Sequence, residues 1–147
     1  MRIRKLKKKD FFLFNEMDWS PLPKERDSIY ITLTIDQADC SFVAEEEGEF
    51  LGVILCTRSA NGQSIYVNHI WVKEEARKKG VGRKLMARLE QYAARQGVRR
   101  IWLFCWDELI DWYRNQGYRE SHAFLSPELK EYVRNVKKVR AFFKEIK

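Results

Sequence analysis

Several things are scarce in this sequence, and each scarcity excludes a class of protein. Cysteine occurs only three times, at Cys40, Cys56 and Cys105, an odd number set inside apolar runs. That pattern argues against a disulfide framework and against a paired-cysteine metal site, and it predicts buried thiols in a reducing compartment. Long apolar runs are missing too: no stretch approaches the roughly 18 residues a membrane helix needs, and the basic N-terminus has no apolar h-region behind it. A soluble, cytoplasmic protein with no membrane association is expected. No internal repeat, low-complexity tract or linker breaks the 147 residues, so one domain over 1–147 is expected.

What is present suits a packed core. Apolar residues make up 45% of the chain and aromatics 14%, while charged residues, 33%, are spread along its whole length. The net charge of +7 favours polyanions in general, whether nucleic acid, an acidic protein surface or a phosphorylated cofactor. The densest basic run, Arg2 to Lys9, reads as the solvated face of an edge strand in preference to a nucleic-acid arm.

The order of elements follows from periodicity and punctuation. Met1 to Leu6 reads as a short strand, and Asp10 is placed to cap a helix running to Trp19, which Pro21 and Pro23 stop. Lys24 to Ala38 is ambiguous; it alternates like a strand at Ile29, Ile31, Leu33 and Ile35, but its flanking charges favour a helix. Ser41 to Glu45, Glu49 to Arg58 and Ser64 to Val72 form an antiparallel meander, with turns at Glu47-Gly48 and Ala60-Asn61-Gly62. Val81, Leu85, Leu89, Tyr92 and Gln96 mark one face of a helix that ends at Gly97. Ile101 to Cys105 then reads as a strand buried on both faces and reached by a crossover. A short helix is expected over about Glu108 to Gln116, closed by Gly117, followed by a strand from Tyr118 to Leu125. Pro127 to Asn135 reads as a helical turn. Val136 to Ile146 is open between helix and strand, with Val136, Val139, Phe142 and Phe143 favouring a strand.

The stretch with the most chemistry runs from Val72 to Leu85, where a strand passes through a basic, glycine-punctuated segment into a helix. A helix N-terminus offers unpaired N–H groups and positive partial charge. Gly80 and Gly82 let a diphosphate approach the backbone, and Arg77, Lys78, Lys79, Arg83 and Lys84 surround it with positive charge. Neither Gly-x-Gly-x-x-Gly nor a Lys-Ser/Thr ending is present, so the segment is neither a dinucleotide fingerprint nor a P-loop.

Arg77-x-x-Gly80-x-Gly82 resembles the signature of the GNAT superfamily of N-acetyltransferases, in which Arg or Gln-x-x-Gly-x-Gly or Ala binds the pyrophosphate of acetyl-CoA. Asp111 to Tyr118 is similar to a second segment of that family, Phe-Tyr-Glu-Lys-x-Gly-Phe. The element order agrees from the first strand to Tyr118. The resemblance implies an α/β (α+β) fold: a mixed, mostly antiparallel sheet of about six to seven strands, flanked by about four helices and splayed at the strand before the basic loop. It implies transfer of the acetyl group of acetyl-CoA to a primary amine, of a small molecule or a peptide, by direct attack in a ternary complex, with CoA as product and no metal. The cofactor-binding residues implied are Ile70, Trp71 and Val72, through their backbone, and Arg77, Lys78, Lys79, Gly80, Val81, Gly82 and Arg83. Tyr113 matches the tyrosine that faces the thioester sulfur.

The sequence departs from the family in two places. Where relatives carry a general base, six and four positions before Val72, this chain has Tyr66 and Asn68; neither is a strong base, so either the proton leaves through ordered water or the amine arrives neutral, with Tyr66 the catalytic candidate that would line the water route. Strand alternation places His69 on the opposite face from both. The family's Asn, seven residues before the tyrosine, is Trp106 here, with Asp107 an awkward neighbour for phosphates. These departures leave an alternative, a noncatalytic domain that binds acyl-CoA or nucleic acid through its basic face, although nucleic acid is disfavoured. The amine is expected to meet residues around Asp18 to Ala38 and Leu125 to Asn135, where Asp18, Trp19, Glu25 and Asp27 suit a cation. A homodimer is left open, and His122 is expected to be surface or packing.

Overall fold

The computed structural model describes residues 1–10, 13, 38–136 and 139–147. The helices expected between Asp10 and Ala38 fall almost wholly outside the described residues, and so do Asp18, Trp19, Glu25 and Asp27.

Seven strands form one mixed sheet: β1 (Arg2–Lys5), β2 (Phe42–Glu46), β3 (Glu49–Arg58), β4 (Ser64–Val72), β5 (Arg100–Trp106), β6 (Arg119–Glu120) and β7 (Val139–Glu145), in the order β1-β2-β3-β4-β5-β7-β6. Among the described residues only β4 and β5 run parallel; every other pairing is antiparallel. The crossover between them is α1 (Val81–Arg95), because a parallel neighbour has to be reached from the far end of the sheet. The mixed, mostly antiparallel sheet is the one anticipated.

One sheet face packs on α1. Val81, Leu85, Met86, Leu89, Tyr92 and Ala93, the buried stripe of that helix, meet Phe42, Ile54, Cys56, Ile65, Val67, Ile101, Leu103 and Phe142. On the opposite face Leu6, Val43, Phe50, Val53 and Leu55 form a second cluster, and Leu125, Val133 and Ala141 a third. All three cysteines are buried and outside any disulfide, as expected. Burial pushes Cys40 up to about 12 and Cys105 to about 11, so both remain thiols at neutral pH.

The basic first strand is the edge of the sheet, and much of its charge is tied up. Arg4 grips the buried Asp10 through two hydrogen bonds of 2.8 Å and reaches Glu45 at 3.1 Å. Asp10 also accepts the Lys7 amide at 2.8 Å, so it closes a turn at the end of β1.

Three local expectations need correction. The strand placed over Tyr118 to Leu125 is only Arg119–Glu120, because the Ser121 hydroxyl accepts the Ala123 amide and turns the chain away, a local bond that competes with the ladder. The helix placed over Glu108 to Gln116 is a 3-10 turn, Asp107–Leu109, followed by a short α2 (Ile110–Arg114). The basic loop is itself helical, a 3-10 segment over Glu74–Lys79. The ambiguous C-terminal region divides into α3 (Pro127–Asn135), which Ser126 caps by accepting the Leu129 amide, and the strand β7. Among the described residues no helix is long and apolar enough to cross a membrane.

Candidate active site

The site exists because β4 and β5 pair for only part of their length. Ser64, Ile65 and Tyr66 lie opposite Arg100, Ile101 and Trp102. Beyond that point β4 continues to Val72 beside β3 alone, and β5 continues to Trp106 beside β7 alone. A V-shaped gap opens between them.

The register on β3 decides which amides face the gap. Lys73 donates its amide to the Leu51 carbonyl at 2.8 Å, which makes the Leu51 pair a hydrogen-bonded one. In an antiparallel ladder such pairs alternate with pairs whose polar groups point outward. Val53 and Trp71 are therefore bonded to each other, whereas Ile70 and Val72, opposite Ile54 and Gly52, turn their N–H and C=O groups into the gap. The backbone contribution expected of Trp71 is corrected on this ground: its amide serves the ladder, and its side chain stacks on Phe50, ring centroids 5.9 Å apart, on the face away from α1.

On the α1 side the gap becomes a groove of about 480 Å³, lined by Ile70, Val72, Arg77, Lys78, Gly80, Gly82, Arg83, Leu109, Trp112 and Tyr113. Its far end is the start of α1. Gly80 has φ of 75°, the left-handed conformation that lets the 3-10 segment end and α1 begin on one residue. No side chain caps α1 and no acid lies in its first turn, so the amides of Val81, Gly82 and Arg83 remain available to an anion. Arg77 folds back to donate to the Val72 carbonyl at 3.0 Å, tying the basic segment to the free end of β4.

Tyr113 also lines the groove, 4% exposed and held edge-on by Trp112 and Tyr118, ring centroids 4.8 and 5.9 Å away. Its hydroxyl makes no hydrogen bond among the described residues. Burial, with the nearby Cys105 and Cys56, pushes its pKa well above the usual tyrosine range. The phenol therefore stays protonated at any ordinary pH and keeps a proton to donate.

Of the residues named from sequence, Ile70, Val72, Arg77, Lys78, Gly80, Gly82, Arg83 and Tyr113 come together in this groove. Lys79 is exposed outside it, and the Val81 side chain is buried in the core, leaving only its amide to face an anion. Tyr66 lies across the sheet from Tyr113, 4.5 Å from the Trp102 ring at the point where the strands part.

Two lining residues were not anticipated. Leu109 and Trp112 close the groove from the β5–α2 connection. A Cβ on Gly82 would sit 3.0 Å from the Trp112 ring, so Gly82 makes room for that ring as well as for a ligand. The pairing of a small residue with a large aromatic thirty positions later has no signature in sequence spacing. Asp107, the awkward neighbour, is held by Arg140 at 3.2 Å and is not loose beside the groove.

His69 is on the opposite side from its expected position. Leu55 pairs with His69 but Cys56 pairs with Val67, so Asn68 is the extra residue of a β-bulge. The bulge reverses the alternation. Val67 before it and Ile70 after it both face α1, and His69 therefore shares the other face with Tyr66 and Trp71.

A sheet parted between two parallel strands, with amides aimed into a groove that ends on a basic helix N-terminus, is the architecture of an acetyltransferase. The chain belongs to the acetyltransferase (GNAT) family, whose model matches residues 2–118. No curated protein matches the sequence. Among solved structures it is similar to Ard1 from Thermoplasma volcanium, with a TM-score of 0.78 at 16% identity, covering 99% of this chain and 97% of that one. It is also similar to Arabidopsis thaliana Naa50 in complex with the bisubstrate analogue CoA-Ac-MVNAL, with a TM-score of 0.75 at 15% identity over 97% of each chain. The ribosomal-protein-S18-alanine N-acetyltransferase from Escherichia coli gives 0.74 at 15% identity, over 99% of this chain and 93% of that one. At these identities the fold is what is shared.

Proposed function

We propose that this protein transfers the acetyl group of acetyl-CoA to a primary amine in a ternary complex. One observation carries the reading. The Ile70 and Val72 backbone, the uncapped start of α1 and Tyr113 line a single groove, the set of groups an acyl-pantetheine diphosphate needs. The residues fit the donor: free amides and the cations Arg77, Lys78 and Arg83 suit its diphosphate, and the apolar Ile70, Val72, Leu109 and Trp112 suit its pantetheine arm.

Acetyl-CoA supplies the acetyl group as a thioester; the remaining tasks belong to this chain. In the overall exchange the amine nitrogen gains the acetyl group and loses a proton, and the sulfur keeps the C–S electron pair and gains one. The Ile70 amide, fixed in direction by the ladder on β3, stabilises negative charge on the acetyl oxygen. Tyr113 donates a hydrogen bond to the departing sulfur. With its pKa raised by burial it does not ionise, so its contribution is a held dipole and not a full proton transfer. The amine's proton leaves past Tyr66 through water. Three buried thiols accord with a reducing, cytoplasmic setting.

The thermal midpoint with acetyl-CoA, against CoA, ATP and NADH, tests the reading. A ligand at a hundred times its dissociation constant stabilises a fold by roughly 2.7 kcal/mol, several degrees for a domain of this size. A rise with acetyl-CoA and CoA alone supports it. Equal rises with ATP and NADH would reduce the groove to a general polyanion site.

A further inference from the structure

The gap between β4 and β5 has a second mouth, on the sheet face away from α1, and that mouth is aromatic. Ile101, Leu103 and Cys105 are buried towards α1, so alternation turns Trp102, Phe104 and Trp106 the other way. Tyr66 joins them from β4, its ring 4.5 Å from Trp102 and 6.1 Å from Phe104. From α3 comes Tyr132, whose ring stands 5.5 Å from Phe104 at 63°. Tyr132 is 44% exposed and Trp106 39% exposed, so this wall is reached from solvent and begins where the last β4–β5 pair ends.

Among the described residues the two strand arms of this wall carry no carboxylate, while α3, which brings Tyr132, has Glu128 one turn before it. The free arm of β4 reads Val67-Asn68-His69-Ile70-Trp71-Val72 and that of β5 reads Leu103-Phe104-Cys105-Trp106, without an acid in either. The first acid beyond, Asp107, is already paired with Arg140, which also holds Glu120 at 3.3 Å. An ammonium ion arriving at this mouth finds no counter-charge among these residues, whereas an apolar group finds ring surface to bury.

Resting on the acetyl-transfer reading above, we propose that this wall seats the acceptor, and that the acceptor is a primary amine with an aromatic group a short chain away from its nitrogen. The group lies against Phe104 and Tyr132, and the nitrogen points down the gap towards the groove. An uncharged amine is the form that attacks, and strand arms without acids give its ammonium form no counter-charge there. A ring lost from such a pocket reduces kcat/KM by roughly 10- to 100-fold, the scale on which hydrophobic pockets discriminate.

The test uses the full chain, acetyl-CoA and release of the CoA thiol, with phenethylamine and tryptamine compared against ethanolamine, glucosamine and spermidine. The two aromatic amines are expected to give kcat/KM at least about 10-fold above the other three. Tyr132→Ser should remove most of that advantage and Tyr132→Phe should keep it, with acetyl-CoA affinity unchanged in both. Equal or reversed preference would overturn the proposal, and spermidine in first place would assign the rings to a cation. Failure of all five amines, or an equal fall for all five in Tyr132→Ser, would also overturn it. Absence of a thermal shift with acetyl-CoA would instead remove the acetyl-transfer reading, which separates the two failures.

Discussion

The two halves of β4 differ less in composition than in what they are bonded to. Ser64 to Tyr66 is paired with β3 on one side and β5 on the other, and its residues hold the sheet together. Val67 to Val72 is just as rich in β-branched and aromatic side chains, yet it is paired with β3 alone and presents the Ile70 and Val72 amides to the gap. The contrast teaches that the site is made by withholding a neighbour and not by a special residue. Side chains on the closed half answer to packing, while on the open half the backbone does the binding. Substitutions on the two sides of this divide should therefore fail in different ways.

The largest expected effect lies in the closed half. Ile65, fully buried on it opposite Ile101, should cost about 2 to 5 kcal/mol as Ile65→Ala, read as a lower urea midpoint, with acetyl-CoA affinity retained wherever the protein stays folded. The open half should invert that outcome. Gly82→Leu drives a side chain into both the Trp112 ring and the ligand space, and acetyl-CoA affinity should fall by about 100-fold or more in calorimetry while the urea midpoint moves little. An unchanged affinity would mean that the start of α1 is not where the donor's diphosphate sits.

Tyr113→Phe sharpens the contrast within the groove. Steady-state turnover should fall about 10- to 100-fold with little change in KM for acetyl-CoA, since only the hydroxyl is lost. Because the raised pKa keeps the phenol protonated, no alkaline loss of activity up to about pH 10 should trace to it. A limb that vanishes in Tyr113→Phe would contradict this.

The smallest effect lies farthest from the gap, at Asp10. Burial raises its pKa, but the Arg4 hydrogen bonds and the Lys7 amide outweigh it, and the carboxyl titrates below its ordinary 3.8. A depressed folded pKa contributes stability above the unfolded value, which is lost as pH falls through the folded one. Asp10→Asn should thus cost about 1 to 3 kcal/mol from pH 5 to 8, and the gap from wild type should narrow progressively as pH falls below about 4. A gap that does not narrow at all in acid would show that packing, not charge, is what Asp10 contributes.

Much of this was legible in the sequence because the relevant signals are local. The basic segment from Arg77 to Arg83, the helical stripe from Val81 to Tyr92 and the apolar run at Ile101 each announce themselves within one or two turns of chain. What could not be read depends on partners. The bulge at Asn68 exists only in relation to β3, and without it alternation sends His69 to the wrong face. The fit of Trp112 over Gly82 joins residues that touch only after α1 and α2 have packed. The end of β6 after Glu120 turned on one hydroxyl, Ser121, choosing a nearby amide over a ladder. The wall around Phe104 needs α3 to bring Tyr132 back across the sheet.

The alternating amides of β4 have a kinetic signature of their own. In heavy water, a proton on an amide locked in a ladder is replaced slowly, and one that faces a solvent-filled cleft is replaced quickly. The end of β4 should therefore read as strand and loop by turns, slow at Trp71 and Lys73 and fast at Ile70 and Val72. Filling the cleft with CoA should slow Ile70 and Val72 and leave their neighbours as they were, so that a two-residue rhythm of deuterium uptake fades into uniform protection.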